Sequence, residues 1–370
     1  MPSLIAIVGL ALISLAILSV TALSLVLYLF TPLPPTPSPS EATYLTSSSP
    51  STPQPLPSLL TPPNADETRV QLSVVVPAYN EADRLGFMLK PTIDYLEDRK
   101  LEPRELEAGI ERGSYEILIV DDGSRDGTAE KALQLVGEIE RSRKDRLRRG
   151  EVRVCRLERN RGKGGATKHG VLHTSHPLRI LFVDADGATH FPDLELLEAE
   201  LDRLEAYQDS SLNGGEKHGL VVGSRAHLVK SEAVVKRSAL RNLLMRSFHL
   251  YLSLLGLSTI RDTQCGFKLS TTSTASLLYP SLHSPGWIFD CELLLLALRC
   301  GVPVREVGVR WEEVGGSKLD VMRDSVRMAR DLLVIRGNYL IGRWKAPPKL
   351  EVIEGRSLKG EETVESKKER

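Results

Sequence analysis

The sequence predicts an α/β fold, a mostly parallel sheet covered by helices and preceded by a single transmembrane helix, on three observations. Short β-branched runs alternate with longer stretches from Val70 to about Trp344, the pattern of βαβ units. An apolar run from Leu4 to Phe30 is long and free of charge. Polar clusters follow four of the β-branched runs, at the edge where an open parallel sheet presents its ligand crevice.

The transmembrane helix comes first. At 1.5 Å per residue, Leu4 to Phe30 exceeds the roughly 20 residues that cross hydrocarbon. A cleaved signal peptide needs a basic n-region and a shorter apolar stretch of about 7 to 15 residues, and this segment has neither. Residues 1–31 are therefore expected to be an uncleaved anchor. The first basic residue beyond it is Arg69, so flanking charge gives no orientation. Thr31 to Pro63 holds 11 of the chain's 22 prolines among Ser and Thr, without a periodic apolar face. That composition predicts a stiff, extended linker over residues 32–69. No N-x-S/T sequon occurs, which argues against a lumenal location.

Strands are predicted at Leu72 to Val76, Tyr115 to Val120, Val152 to Leu157, Ile180 to Val183 and Leu220 to Val222. Helical spacing joins Ala129, Leu133, Val136 and Ile139, and again Leu194, Leu197, Leu201 and Leu204, which are core positions. The domain is expected to span 70–344, followed by a disordered tail over 345–370 that is polar, charged and free of aromatics from Gly355 on. The 48 basic residues cancel 48 acidic ones, so no general field attracts nucleic acid. Cys155, Cys265, Cys291 and Cys300 include no C-x-x-C pair and read as reduced thiols.

The strand ends carry the chemistry. They read Pro77-Ala78-Tyr79-Asn80-Glu81, Asp121-Asp122-Gly123-Ser124, Asp184-Ala185-Asp186-Gly187 and Gly223-Ser224-Arg225. Each alone suits a turn and helix cap, but four share one edge. Asp184 and Asp186 follow a buried ILFV run, where carboxylates can hold Mg2+ or Mn2+ against a diphosphate; the bland alternative is a surface turn. Asp121 and Asp122 can accept a uracil imide or a ribose hydroxyl, or simply cap the turn into the helix at Thr128. Asn160 to Ala166 opens a helix with glycines and Lys163 and fits neither a P-loop nor a dinucleotide fingerprint; it reads as a phosphate or sugar contact of the donor through Lys163, or as a tight turn.

Together, VVVPAYNEADRL, ILIVDDGSRDGT, RNRGKGGATKHG, LFVDADGAT and VVGSR resemble the inverting, GT-A fold glycosyltransferases of family 2 from about Leu72 to Gly342. The later segments Asp262 to Lys268, Gly286 to Asp290 and Trp311 to Lys318, with the anchor, are most similar to the branch using UDP-glucose and dolichyl phosphate at the cytosolic face of the endoplasmic reticulum. The resemblance implies a donor half at 70–225 and an acceptor half at 226–344. It implies that Pro77, Tyr79 and Glu81, with Asp121 or Asp122, form the uridine and ribose pocket, and that Asp184 and Asp186 meet the diphosphate and its metal. Related mannosyl-transferring enzymes often carry Gln two residues beyond the second Asp, and here that position is Ala188. A GDP-mannose-dependent mannosyltransferase and a non-catalytic, tethered nucleotide-sugar sensor are the competing readings.

A lipid phosphate has a second pKa near 6, so it reaches the site largely anionic and needs cations more than a base. Arg225 and Lys318 are the expected phosphate-holding cations. Asp290 reads either as a catalytic base or as the partner of a nearby cation. Trp287 reads as a wall of the sugar pocket or as core. Leu240 to Leu257 and Val321 to Trp344 mix aliphatic stripes with Arg and are expected to meet membrane lipid.

Overall fold

The computed structural model describes residues 4–31, 37–63, 69–99, 110–143, 147–208, 212–230, 260–315 and 321–351. Lys318 and the segment Leu240 to Leu257 lie outside the described residues. All five predicted strands form, as β3 (Leu72–Ala78), β4 (Tyr115–Asp121), β5 (Gly150–Arg156), β6 (Arg179–Val183) and β7 (Leu220–Ser224). They share one sheet with β1 (Thr43–Thr46), β2 (Ser49–Pro55), β8 (Phe267–Thr271) and β9 (Val304–Gly308), in the order β2-β1-β5-β4-β3-β6-β8-β7-β9. Strands β5, β4, β3 and β6 run parallel, and β7 runs parallel to β9. Strand β8 is antiparallel to both neighbours, β6 and β7. It therefore begins at the edge where β6 ends, bringing Asp262 to Gly266 beside Asp184.

Alternation within the strands splits the core. Val74 and Val76 join Ile117, Ile119 and Leu181 beneath α2 (Leu85–Asp98), α3 (Thr128–Ser142) and α5 (Leu194–Ala206). Val75, Ile180 and Phe182 face the other way, onto α6 (Thr272–Leu278), α7 (Phe289–Cys300) and α8 (Val321–Leu340). The remaining helix, α4 (Gly162–Leu172), packs on β3 and β4.

The proline-rich stretch expected as a linker is part of the sheet. Tyr44 and Leu45 of β1 pair with Cys155 and Val154 of β5, and β2 closes a hairpin at the sheet's edge. Leu59 is buried, and its N–H bonds Leu172 O at 2.9 Å. Residues 345–351, expected to begin a disordered tail, run back along the domain, where Leu350 N bonds Cys300 O at 2.8 Å. Residues 352–370 lie outside the described residues.

The apolar run forms α1 (Leu4–Phe30), and its stretch Leu12–Phe30 is long and apolar enough to cross a membrane. Its last turn meets the end of α8. A Cβ on Gly337 would fall 2.6 Å from Leu27 Cδ2, so the glycine lets the Leu27 side chain pack directly on the α8 backbone. Asn338 Nδ2 donates to Thr31 Oγ1 at 3.0 Å, and the Arg343 guanidinium lies 5.3 Å from the Tyr28 ring.

Mid-sheet, the Glu116 carboxylate is 1% exposed and accepts from Ser73 Oγ, from Ser175 N at 2.7 Å and from Arg153 Nη1 at 2.8 Å. Removing it leaves the Ser73 and Ser175 donors without their buried acceptor and Arg153 with Glu151 as its remaining carboxylate, so Glu116→Ala should lower unfolding free energy by about 2 to 4 kcal/mol in urea titration. A loss below about 1 kcal/mol would be the signature of a surface charge instead.

Candidate active site

Each predicted cluster lies at one edge of the sheet. After β3, Asn80 adopts φ 54°, and its N–H donates to Ser124 Oγ at 2.8 Å while its Oδ1 accepts from Arg125 N at 2.8 Å. The first two clusters are thus knitted together by hydrogen bonds. Tyr79 is 40% exposed beside Pro77 and is accessible to a ligand. Glu81, by contrast, holds Arg84 through two hydrogen bonds of 2.7 and 2.6 Å, and Arg84 Nη1 lies 3.9 Å from Asp186 Oδ2.

Asp121 and Asp122 are both buried and engaged inside the protein. Asp122 accepts Arg161 N–H at 2.6 Å on one oxygen and Gly162 N–H at 2.8 Å on the other. Burial pushes it up to about 7 against the pull of those two N–H groups. Its visible work is to hold the turn that opens α4. Asp121 accepts Ser124 N–H at 3.0 Å, and its second oxygen lies 3.7 Å from Arg156 Nε.

That turn aims Lys163 at the metal-type pair. Lys163 Nζ lies 2.6 Å from Asp184 Oδ1, and its ammonium stands 5.3 Å from the Phe182 ring and 5.4 Å from the Trp287 ring. Burial alone would lower the Lys163 pKa, but the charges of Asp184 and Asp290 raise it. Asp186 is pushed up by burial and then by Asp184's charge, while its Oδ1 accepts Ala188 N–H at 3.0 Å. The Asp184 and Asp186 side chains are 33% and 29% exposed, open to a cation from solvent. Two hard oxygen donors with excess negative charge fit Mg2+ or Mn2+ completed by phosphate oxygens. Among the described residues no third His, Cys, Asp or Glu joins them, and Ala188 contributes its backbone alone.

The structure bears on three of the predicted side chains. Asp290 is 1% exposed, with its Oδ1 2.5 Å from Lys268 Nζ, the arrangement of its second reading as the partner of a nearby cation. Lys268 Nζ also donates to Cys265 O at 2.6 Å, tying the pair to the turn beside Asp184. Arg225 is clamped by Asp262 through Nε at 2.7 Å and Nη2 at 2.9 Å, and its guanidinium covers the Trp311 ring at 5.3 Å. Among the described residues the Asp262 clamp takes up Nε and Nη2 and leaves Nη1 outside it. Trp287 is 40% exposed over Lys163, so it is not core.

Sequence reasoning also missed Arg84 and Lys268 as partners of the acidic residues. Both lay inside quoted segments, Arg84 in VVVPAYNEADRL and Lys268 in Asp262 to Lys268, three residues beyond a Glu and next to a Phe respectively. An i, i+3 acid–base pair was the available signal for Arg84.

A strand-end carboxylate pair, an adjoining ammonium and a glycine-rich turn at the carboxyl edge of a mostly parallel sheet form the nucleotide-diphosphate site expected of a GT-A glycosyltransferase. The model of glycosyl transferase family 2 matches residues 73–244. The chain is 42% identical over 276 residues to the dolichyl-phosphate beta-glucosyltransferase of Dictyostelium discoideum, covering 75% of this chain and 77% of the relative. It is 38% identical over 336 residues to the enzyme of the same name from Saccharomyces cerevisiae, covering 90% and 94%. The chain belongs to this dolichyl-phosphate beta-glucosyltransferase family. The crystal structure of glucosyl-3-phosphoglycerate synthase from Mycobacterium tuberculosis with UDP is 18% identical, with a TM-score of 0.45, covering 76% of this chain and 88% of that one.

Gly266 tests how tightly Asp184 is held. A Cβ there would overlap the Asp184 carboxylate. Gly266→Ala should therefore keep the fold, displace the carboxylate and reduce kcat/KM by about 100-fold, with weaker Mn2+ binding by electron paramagnetic resonance. Unchanged Mn2+ affinity and turnover would show that the carboxylate has room to move.

Proposed function

We propose that the protein transfers glucose from UDP-glucose to dolichyl phosphate with inversion, giving dolichyl β-D-glucosyl phosphate. The observation that carries this reading is the Asp184/Asp186 pair with Lys163 at the carboxyl edge of the sheet, in a chain of this family that also bears a membrane-length helix. Tyr79 and Pro77 line the approach for the nucleotide, and Asp122 keeps the glycine turn in place to receive it. Trp287 offers an exposed ring to the sugar beside Lys163. Asp184 and Asp186 would hold Mg2+ or Mn2+, which when bound supplies positive charge to offset that developing on the departing diphosphate.

On the acceptor side, the phosphate oxygen is already anionic near neutral pH, so the site does not require a general base. The burial of Asp290 in an ion pair is consistent with that chemistry. Arg225, through Nη1, and Lys318 are the proposed cations that hold the phosphate, and Asp262 fixes the Arg225 fork in one orientation. Membrane lipid meets the exposed Val326, Leu333 and Leu340 of α8 in this reading, with the dolichyl chain remaining in the bilayer. The catalytic domain faces the cytosol from the endoplasmic reticulum membrane. The absence of sequons and the four buried, unbridged cysteines support that side.

A donor screen tests the reading. Labelled lipid should form from UDP-glucose and dolichyl phosphate, and not from GDP-mannose; the opposite preference would establish the mannosyl alternative. Asp186→Asn should retain the fold and lower turnover by at least about 100-fold.

Arg225→Lys keeps the charge but loses the fork. It should lower kcat/KM for dolichyl phosphate by about 10-fold while leaving calorimetric UDP-glucose affinity unchanged. A loss confined to donor affinity would move Arg225 to the other half of the reaction.

A further inference from the structure

Glu41 is a buried carboxylate that the proposed chemistry does not use. It lies in the proline-rich stretch between anchor and domain and is 2% exposed. Its Oε2 accepts from Arg161 Nη2 and from Ser38 N at 2.8 Å, and its Oε1 accepts from Glu158 N at 2.9 Å. Its backbone O accepts from Cys155 Sγ at 3.3 Å and lies 2.8 Å from His169 Nε2 on α4. One residue outside the expected domain thus grips both ends of the turn from Glu158 to Arg161.

The same turn faces the donor side. Arg161 and Gly162 give their N–H groups to Asp122, and the next residue is Lys163, 2.6 Å from Asp184. From the other side, Gly165 N bonds Pro285 O at 3.1 Å, so the turn is held between the juxtamembrane segment and the loop bearing Trp287. The Arg161 side chain is 10% exposed, and its Nε is buried without a hydrogen-bond partner among the described residues. The Glu41 contact is therefore the chief compensation of that buried guanidinium. Without it the guanidinium must turn toward water, pulling the backbone that Asp122 holds.

We infer that Glu41 is a positioning residue for the donor: through Arg161 it fixes the 158–163 turn so that Lys163 reaches the carboxylate pair. The juxtamembrane segment is then a working part of the active site. This inference rests on the proposed use of UDP-glucose at that site.

The test uses the full-length protein in detergent, wild type against Glu41→Gln, with two readouts. Without nucleotide, amide hydrogen exchange at residues 158–163 should speed up in the variant, while exchange in β3 and β4 stays as it was. With nucleotide, UDP-glucose affinity by calorimetry should fall by about 10-fold, with KM for dolichyl phosphate unchanged. At a temperature where the variant is fully folded, KM and affinity are insensitive to a loss of stability, so a purely structural role would lower the melting temperature and leave them alone. Arg161→Met is the second variant; adding Glu41→Gln to it should have no further effect on donor affinity if Glu41 acts through Arg161. Unaltered exchange over 158–163, or additive losses in the double variant, would overturn the inference. Faster exchange in a protein whose wild type binds no UDP-glucose would support the latch and refute the donor assignment.

Discussion

Two like charges at the end of one strand impose the constraint on which the site depends. Asp184 and Asp186 sit where burial and mutual repulsion oppose ionisation of the second carboxyl, and the rise in the Asp186 pKa records that opposition. The surrounding elements answer with charge and space. Helix α4 sends Lys163 to Asp184, and Arg84 ahead of α2 approaches Asp186 while held by Glu81. The turn ahead of β8 contributes a glycine, Gly266, where any side chain would collide with the Asp184 carboxylate. Below it, Lys268 and Asp290 brace the same turn from inside the core. Acid and base alternate through this region, so neutralising one member leaves its neighbour without compensation.

That arrangement explains why Asp290 resisted assignment from sequence. A carboxylate in the acceptor half has the right chemistry for a base, and sequence does not reveal that a lysine one strand away is turned inward. Lys268 is 2% exposed, which runs against the usual behaviour of lysine, and only the antiparallel insertion of β8 beside β6 brings it to Asp290. The parallel strands were legible because both sheet faces are covered, which makes them continuous β-branched runs. The donor edge was legible because its chemistry sits in short segments directly after those runs. Partners contributed from distant segments, such as Asp262 for Arg225, were not.

The hairpin from Thr43 to Pro55 was hidden for a different reason. Its composition is that of an extended linker, and three prolines, Pro50, Pro53 and Pro55, fall within β2. Proline cannot donate to a ladder, which confines it in a central strand to a position such as Pro77 at the end of β3, beyond the pairing with β6, but leaves it free to recur along an outer strand. As the outermost strand, β2 needs bonds on one side alone, and its prolines leave the free edge poorly suited to pairing with another chain. A composition that signals the absence of structure here caps the sheet.

The joint between the last turn of α1 and the end of α8 has a consequence for how substrates are found. Leu27 packed on Gly337, with Thr31 bonded to Asn338, connects the membrane-length helix to the same helix that bears Tyr339, whose hydroxyl reaches Glu292 of α7 at 3.0 Å. In the proposed membrane setting these contacts join the domain directly to the helix, which restricts its tumbling relative to the bilayer. With the proposed acceptor confined to the same bilayer, encounters become a search in two dimensions by partners that share a plane, and much of the orientational entropy of meeting is removed beforehand. The water-soluble donor must still arrive by diffusion through the full volume.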